Sequence, residues 1–452
     1  MDPMDVTISK TLQQVQNHAR ELIEQHRTKF SRKQKELSGF FGIEQCQLSD
    51  LCTAKECLVK IDFRNTMVCF EPFVRGEGQI LGEVNYDYYN GEKIAPIRKK
   101  ITIGPGMLSK ILEEASIFFE WAGEKYCMEI GPKRWSDNGE YDFYLTSKDQ
   151  TALDRLLEAF TAYRKKHHYL HGKKFNGGSG EILPLNEHSW NDLVWPDGIK
   201  ERLRNEVETV FKNSALFTFY GLNSKKGFIL AGEPGNGKTL LLKILAKETD
   251  ATCILVPFDE FKFTPYLFSL ARDLAPTVLI LEDIDLFGTD RDNSSQSVEL
   301  GKLMNQLDGM VENREIVVIA TTNRLENVEK ALQNRPGRFD RIYVIPNPDF
   351  RMRIGLISHF IGKIPNEITQ EHIEILAEEF AGYSAAYLKE LVNSGFAQAI
   401  LQDRQNPVLR FQDLKTMVDI LKHKKDKVPV GFTVPEPVKE RSSIQNKQEE
   451  SL

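Results

Sequence analysis

The chain has 452 residues, of which 27% are charged and 41% hydrophobic, and its formal net charge is −6. This length predicts about three domains, and the acidic balance argues against a protein that binds nucleic acid generally. Six cysteines do not make a disulfide framework in so long a chain, and no secretory signal or apolar run of roughly 18 residues is present, so we expect a cytoplasmic protein.

The first predicted region, residues 1–180, mixes helices and strands. Apolar spacing over residues 7–36 predicts a long amphipathic helix. From about residue 58 to residue 104 we expect strands and turns, because the β-branched and aromatic stretches CLVKIDF, TMVCFEPF and ILGEVNYDYY are punctuated by Gly and Asn. Helical spacing returns at Leu108–Ala122 and Thr151–Tyr163. We therefore expect a mixed α+β domain, whose function these patterns do not reveal.

Cys46, Cys52 and Cys57 lie close together in the sequence, with Cys69 as a candidate fourth metal ligand. Their spacings differ from the C-x₂₋₄-C pairs of zinc sites, and buried structural cysteines are common. We therefore favour structural cysteines over a metal site.

The segment RKKHHYLHGKKFNGGSGE, residues 164–181, is basic and then rich in glycine. It suits either a patch that binds nucleic acid or a solvated linker, and we favour the linker because charge runs are usually solvated. A domain boundary is therefore expected near residue 180.

Residues 188–348 alternate apolar strand-like runs with helical patterns; the runs are GFILAG, TCILVPF, TVLILED, IVVIATT and IYVIP. Continuous apolar runs between helices predict a parallel sheet covered on both faces. Helical spacing over 349–425 predicts a small helical domain, and the Pro, Lys, Glu and Ser content of 426–452 predicts a disordered tail. The predicted fold class is α/β, with the helical domain after it and the mixed α+β domain before it.

The stretch FILAGEPGNGKTLLLKILAKE, residues 228–248, places a glycine-rich loop between a strand-like run and a helical one. Glycines let consecutive backbone N–H groups face one concavity, and the helix adds the positive end of its dipole, so the loop suits phosphate oxygens. Lys238 is expected to reach the β- and γ-phosphates of ATP, and the Thr239 hydroxyl to bind Mg²⁺. The predicted nucleotide-binding residues are Gly232, Glu233, Pro234, Gly235, Asn236, Gly237, Lys238, Thr239 and Leu240.

Acids, an amide and arginines of the kinds that serve ATP hydrolysis follow this P-loop. In TVLILEDID, Glu282 and Asp283 follow an apolar strand, at the edge of a parallel sheet where α/β folds bind ligands. Asn323, at the end of IVVIATTN, either holds the attacking water or only forms a turn. The turn ALQNRPGRFDR carries arginines that suit the charge on a transferring phosphoryl group and that a neighbouring subunit often supplies: Arg335, Arg338 and Arg341.

These motifs, in this order, resemble those of the AAA family of ATPases. The likeness covers roughly residues 188–425 and rests on GEPGNGKT, LILEDID, IATTN, NQLDGM and RPGRFDR. It implies that Asn323 is the sensor residue, that Arg335 and Arg338 are arginine fingers acting on the next subunit, and that the chain forms a ring, usually a hexamer. The stretch AGYSAAYLKEL matches the helical lid of the family in part, since Ala385 replaces a glycine and Tyr387 an aspartate.

The acidic pair departs from the family, which usually has Asp-Glu where this chain has Glu282-Asp283. By position, Glu282 supports the metal and Asp283 polarises the water with a side chain one methylene shorter. The same order is a feature of the mitochondrial translocases of the Rieske iron–sulfur protein. The stretches LTSKDQTALDRLLEAF and VETVFKNSALFTFYGLNSKKGFILAGEPGNGKT are also similar to that subgroup. Its membrane span has no counterpart in this sequence, so its membrane location does not transfer.

A second departure lies where unfoldases of the family present an aromatic-apolar-glycine loop to a central pore. The chain has DEFKFTPYLFSLARDL there, without glycine. Phe261, Phe263 and Tyr266 either line a pore or pack against the next helix, and both interpretations stay open.

Three functions follow from these patterns. The first is an oligomeric Mg-ATP-dependent ATPase that remodels, disassembles or translocates a protein partner chosen by residues 1–180. The second is a nucleotide-gated switch or scaffold with slow hydrolysis, which the Glu-Asp order and the missing pore glycine favour. The third is a nucleic-acid motor that uses the basic residues 164–174, and the acidic net charge argues against it.

Overall fold

We describe the protein from a computed structural model that covers residues 32–87, 92–133, 139–184, 188–196, 198–220, 226–288, 301–303, 305–307, 315–326, 328, 339 and 341–427. The described residues form two compact units. The larger unit lies within 1–190, 197–232 and 238–344, and the smaller within 191–196, 233–237 and 345–452.

Seven strands of the larger unit form an antiparallel sheet in the order β1-β7-β6-β5-β2-β3, with β4 paired to β5. They are β1 Cys52–Leu58, β2 Gly78–Tyr86, β3 Lys93–Ile94, β4 Ile97–Gly104, β5 Met107–Trp121, β6 Glu124–Pro132 and β7 Tyr141–Ser147. Helices α1 (Lys60–Glu77) and α2 (Gln150–Lys166) pack their apolar faces against this sheet. The predicted mixed α+β region is confirmed.

The predicted strand TMVCFEPF is wrong, because these residues lie inside helix α1. The aromatic and β-branched content suggested a strand, but the buried side chains recur every three or four residues, which is the helical period: Phe63, Met67, Phe70 and Val74. The CLVKIDF stretch spans two elements, since β1 ends at Leu58 and α1 begins at Lys60.

The predicted helix Leu108–Ala122 is also wrong, because these residues form most of strand β5. Apolar residues at Leu108, Ile111, Leu112 and Ala115 imitate helical spacing. Beyond them the strand buries alternate residues in the core shared with α1 and α2, which is the period of a strand: Ala115, Ile117, Phe119 and Trp121.

Six strands form a second sheet in the order β13-β9-β12-β11-β10-β8, with parallel register between neighbours from β9 to β8. They are β8 Lys174–Asn176, β9 Lys226–Gly232, β10 Thr252–Val256, β11 Thr277–Leu281, β12 Ile316–Thr322 and β13 Arg341–Ile345. Helices alternate with these strands along the chain. Helices α3 (Ile199–Lys212) and α4 (Ser214–Phe219) precede β9, α5 (Lys238–Glu248) lies between β9 and β10, and α6 (Thr264–Asp273) lies between β10 and β11. The five predicted strands and the parallel sheet are confirmed.

The predicted solvated linker over residues 164–181 is wrong. Helix α2 extends to Lys166, and β8 adds an edge strand that pairs in parallel with β10. Leu170 and Phe175 have no exposed surface, and the Lys174 ammonium donates hydrogen bonds to the carbonyls of Gly172, Thr249 and Ala251. Backbone carbonyl oxygens thus bind the Lys174 ammonium, which we expected from the sequence to be exposed to solvent. The domain boundary near residue 180 stays a prediction.

In its described residues the smaller unit contains four helices, α7 (Phe350–Ile361), α8 (Gln370–Glu379), α9 (Ala385–Gln402) and α10 (Phe411–Lys427). The side chains of Asp349 and Thr369 cap α7 and α8 by accepting hydrogen bonds from backbone N–H groups. Buried Phe380, Leu388 and Leu414 belong to the core of this unit. The predicted helical domain is confirmed.

Two predicted segments fall wholly or largely outside the described residues. Of the predicted N-terminal helix, only residues 32–36 are described; they are helical, and the helix continues to 41. The predicted disordered tail lies outside the description from residue 428 onward.

Candidate active site

The predicted phosphate-binding loop connects the end of β9 at Gly232 to the start of α5 at Lys238. Gly235 and Gly237 have φ angles of +86° and +85°, which residues with a β-carbon rarely adopt. A β-carbon on Gly235 would lie 2.5 Å from that of Ala386, and one on Gly237 would lie 3.0 Å from Leu193 Cδ1. Both positions therefore require glycine for backbone shape and for space.

Within the smaller unit, the loop residues are held by the start of α9. The Ala386 N–H donates to the Gly235 carbonyl at 3.0 Å, and the Ala385 N–H donates to Asn236 Oδ1 at 3.1 Å. The Asn236 Nδ2 donates to Asn347 Oδ1 at 2.8 Å. Since Ala385 contributes a backbone N–H, its departure from the family's glycine leaves this contact intact.

Trp195 and Asn347 are loop contacts that the sequence analysis missed. The Trp195 indole donates to the Asn236 carbonyl at 2.7 Å, and Asn347 Nδ2 donates to the Gly382 carbonyl at 3.2 Å. Neither residue lies in one of the sequence motifs, so no sequence pattern identified them.

In the larger unit, four of the six predicted catalytic side chains come together at the carboxyl ends of β9, β12 and β11, which are neighbours in the sheet: Lys238, Glu282, Asp283 and Asn323. The buried Lys238 ammonium donates to the Gly232 carbonyl at 2.7 Å and to Asn323 Oδ1 at 2.8 Å. The Thr239 hydroxyl donates to Glu282 Oε1 at 3.1 Å. Adjacent parallel strands deliver their ends to one edge of the sheet, which brings these distant residues together.

Asn323 connects the lysine to the acidic pair. Its Nδ2 donates to Asp283 Oδ1 at 3.1 Å while its Oδ1 accepts from Lys238. An amide can accept and donate at once, so one side chain holds a cation and a carboxylate together.

Thr321 and Asp285 join this network, and the sequence analysis did not single them out. The Asp283 N–H donates to Thr321 Oγ1 at 3.0 Å, and the Asn323 N–H donates to Asp285 Oδ1 at 2.9 Å. Both side chains are almost fully buried. Both residues stand inside the quoted stretches IATTN and LILEDID, but only the register of β11 and β12 reveals the contacts.

Glu282 and Thr239 offer the oxygen ligands that Mg²⁺ prefers. Burial raises the pKa of Glu282, the neighbouring Asp283 carboxylate raises it further, and the Thr239 hydrogen bond and the charge of Lys243 lower it. A divalent cation would offset both effects that disfavour the carboxylate, so this pair of oxygens fits a Mg²⁺ ion.

Arg335 and Arg338 lie outside the described residues, so their predicted roles stay predictions. Arg341 is described, and its guanidinium pairs with Glu206 Oε1 at 2.9 Å. Tyr343 donates to the same oxygen at 2.9 Å. Arg341 therefore forms an ion pair within its own chain.

The structure supports packing for the aromatic residues that replace the family's pore loop. Phe261 is 1% exposed and packs edge-on against Phe258, and Phe263 is partly buried against the same core. The Tyr266 hydroxyl donates to Asp62 Oδ1 in helix α1 at 3.0 Å. These side chains pack in the interior of the larger unit.

Among the described residues, no group of three or more His, Cys, Asp and Glu side chains is arranged to hold a metal ion. Cys69 is buried and donates to Asn65 Oδ1 at 3.5 Å, and burial raises its pKa to about 11. This cysteine is a packed thiol. The side chain of Cys46 lies outside the described residues.

Comparison with known proteins identifies one matching family and several similar proteins. Residues 228–347 match the family described as ATPase family associated with various cellular activities (AAA). The chain is 32% identical over 298 residues to the proteasome-activating nucleotidase of Sulfurisphaera tokodaii, which covers 63% of this chain and 72% of that protein. The resemblance drawn from the motifs is confirmed.

Two other similar proteins are longer. Protein SAV of Sulfolobus acidocaldarius is 35% identical over 226 residues, which are 47% of this chain and 29% of that protein. The ATPase family gene 2 protein of Saccharomyces cerevisiae is 32% identical over 236 residues, which are 49% of this chain and 30% of that protein. The chain thus spans under a third of each.

None of the helices in the described ranges is both long enough and apolar enough to cross a bilayer. The cytoplasmic location expected from the sequence stays a prediction.

Proposed function

Since the chain belongs to the AAA family of ATPases, we propose that it hydrolyses Mg-ATP and uses the energy to remodel, disassemble or translocate a protein partner. The contact series from Lys238 through Asn323 to Asp283 carries this proposal. It links a phosphate-binding cation to a carboxylate that can polarise water, through an amide that can hold that water.

Each side chain has a role that its contacts support. Lys238 binds the β- and γ-phosphates, and the loop from Gly232 to Leu240 surrounds them. Phosphate oxygens are stronger acceptors for an ammonium than the neutral carbonyl oxygens of Gly232 and Asn323, so nucleotide displaces these contacts. Thr239 and Glu282 hold Mg²⁺, which when bound neutralises charge on the phosphates.

Asp283 accepts a proton from the attacking water, and Asn323 orients that water. Because Asp283 lies 3.1 Å from the Asn323 amide, both groups reach the same small volume at the end of the two strands. Arg338 and Arg335 then stabilise the transition state on the neighbouring subunit of a ring, which we expect to be a hexamer.

The test compares two variants. Lys238→Ala removes the phosphate-binding cation and should abolish nucleotide binding. Asp283→Asn keeps the shape and the loop, so it should bind ATP normally while turnover falls about a hundredfold or more. Equilibrium binding of a fluorescent ATP analogue and steady-state phosphate release measure the two properties. Normal turnover by Asp283→Asn would remove Asp283 from the role of base.

The nucleotide-gated switch remains a second candidate because of the packed aromatic residues. Phe261 and Tyr266 are engaged in the interior, so a pore-lining role would require them to leave their contacts. Addition of a partner protein distinguishes the two functions: a motor turns over ATP faster with its partner, whereas a switch keeps a slow rate and changes its assembly.

A further inference from the structure

Asp283 has an unusual backbone conformation. Its φ is +55°, in the left-handed region, and among the described non-glycine residues only Ala122 and Glu315 share a positive φ. Side chains with a β-carbon are disfavoured there, and Asp and Asn are the charged or polar residues that tolerate it best. An aspartate at position 283 is therefore compatible with the left-handed backbone conformation there.

The Asp283 N–H lies beyond the strand ladder and needs another acceptor. The last paired residues of β11 and β12 are Leu281 and Ala320. Two residues past Leu281, the Asp283 N–H donates to the hydroxyl of Thr321, which is 2% exposed. The Asp283 carbonyl then accepts from the Leu286 N–H as the chain enters a 3₁₀ helix at Ile284–Gly288.

We propose that Thr321 is a positioning residue that fixes the left-handed turn at Asp283 and so aims its carboxylate at Asn323. Thr321 is itself held on the central strand β12, whose register pairs it with Leu230 of β9. The rigid sheet thus sets the direction of a carboxylate that is one methylene shorter than a glutamate. This inference rests on the proposed ATPase function and assigns a residue that supports its base.

The test uses Thr321→Val, which keeps the branched shape but loses the acceptor, and Thr321→Ser, which keeps the hydroxyl. In Thr321→Val we expect kcat to fall about tenfold or more with KM for Mg-ATP unchanged, because only the aim of the base is lost. Thr321→Ser should retain most of the wild-type rate.

A second measurement needs neither nucleotide nor turnover. Amide hydrogen exchange at Asp283 in the nucleotide-free protein should accelerate about tenfold or more in Thr321→Val and stay near the wild-type rate in Thr321→Ser. Thr322→Val is the matched control, since it removes an equally buried hydroxyl that accepts from the Arg324 N–H instead. It should leave exchange at Asp283 unchanged.

ATPase kinetics and amide exchange at Asp283 together distinguish a failure of the Thr321 role from a failure of the proposed ATPase function. Wild-type protein without ATPase activity would contradict the proposed function, while exchange at Asp283 would still test the role of Thr321. Unchanged exchange in Thr321→Val, or a loss of ATP affinity equal to its loss of turnover, would overturn the positioning role.

Discussion

At the residue scale, the candidate site depends on groups that make two contacts each. Asn323 accepts from Lys238 and donates to Asp283 through one amide, and its backbone N–H donates to Asp285. Such a network favours one arrangement, because the loss of a partner leaves a polar group without its hydrogen bond in a partly buried site. The contacts of Asn323 with Asp283 and Asp285 are thus formed before nucleotide arrives.

Glu282 gives a prediction about pH. Because its pKa is raised in the folded protein, the native state binds this proton more tightly than the unfolded state does. The contribution of this group to the free energy of unfolding therefore falls as pH rises through the window between the unfolded and the folded pKa, and stays lost above it. Without nucleotide or Mg²⁺, Glu282→Gln should be more stable than wild type at neutral pH, and the gain should vanish in acid.

Urea denaturation at a series of pH values measures this difference. Addition of Mg-ATP should reverse the order, since the wild-type carboxylate regains a cation and the amide does not. A variant equal to wild type at every pH would show that the buried carboxylate is not destabilising in the free protein.

At the element scale, the region before residue 180 is joined to the second sheet by several buried contacts. Strand β8 is the edge of that sheet, and Arg64 Nη1 donates to the Ser179 carbonyl at 2.8 Å. The Gly178 N–H donates to Glu260 at 2.6 Å. A β-carbon on Gly178 would lie 2.2 Å from the Glu260 carboxyl group, so a larger residue would displace this side chain from its hydrogen bond.

The Tyr266 hydroxyl gives the prediction at this scale. It donates to Asp62, whose pKa burial raises and this hydrogen bond lowers. Tyr266→Phe leaves a buried carboxyl group without its donor, so the free energy of unfolding should fall by about 1–3 kcal/mol. Tyr220→Phe is the matched control, because Tyr220 is 70% exposed. Equal stability of the two variants in urea denaturation would contradict the importance of this contact.

The sequence predicted the second sheet better than the first for a physical reason. Strands such as β11 and β12 are buried along their whole length, so continuous apolar runs reveal them. Strand β5 and helix α1 have mixed patterns in which helical and strand periods both fit part of the run. Only packing against their neighbours decides between the periods.

The candidate site, too, could be predicted only in part from the sequence. Lys238, Thr239, Glu282, Asp283 and Asn323 stand in motifs with fixed order, so the sequence identified them. The acceptor role of Thr321 and the left-handed backbone of Asp283 depend on strand register and on a turn angle. No residue spacing encodes either property.

At the scale of the whole molecule, the edge strand β8 connects the region before residue 180 with the helix that follows the predicted phosphate-binding loop. The Lys174 ammonium binds the carbonyls of Thr249 and Ala251, just past the end of α5, the helix that begins with Lys238 and Thr239. These contacts therefore tie the segment before residue 180 to the end of the helix that begins at the candidate site.

The central claim is that ATP is hydrolysed at a site with Asp283 as its base and with arginines of the next subunit completing it. Steady-state ATPase activity of the purified full chain over a wide range of protein concentration tests it most directly, with Asp283→Asn giving the background at each concentration. We predict turnover per subunit that rises steeply as rings assemble and stays near background throughout in the variant. Turnover that is independent of concentration, or equal in the two proteins, would contradict the claim.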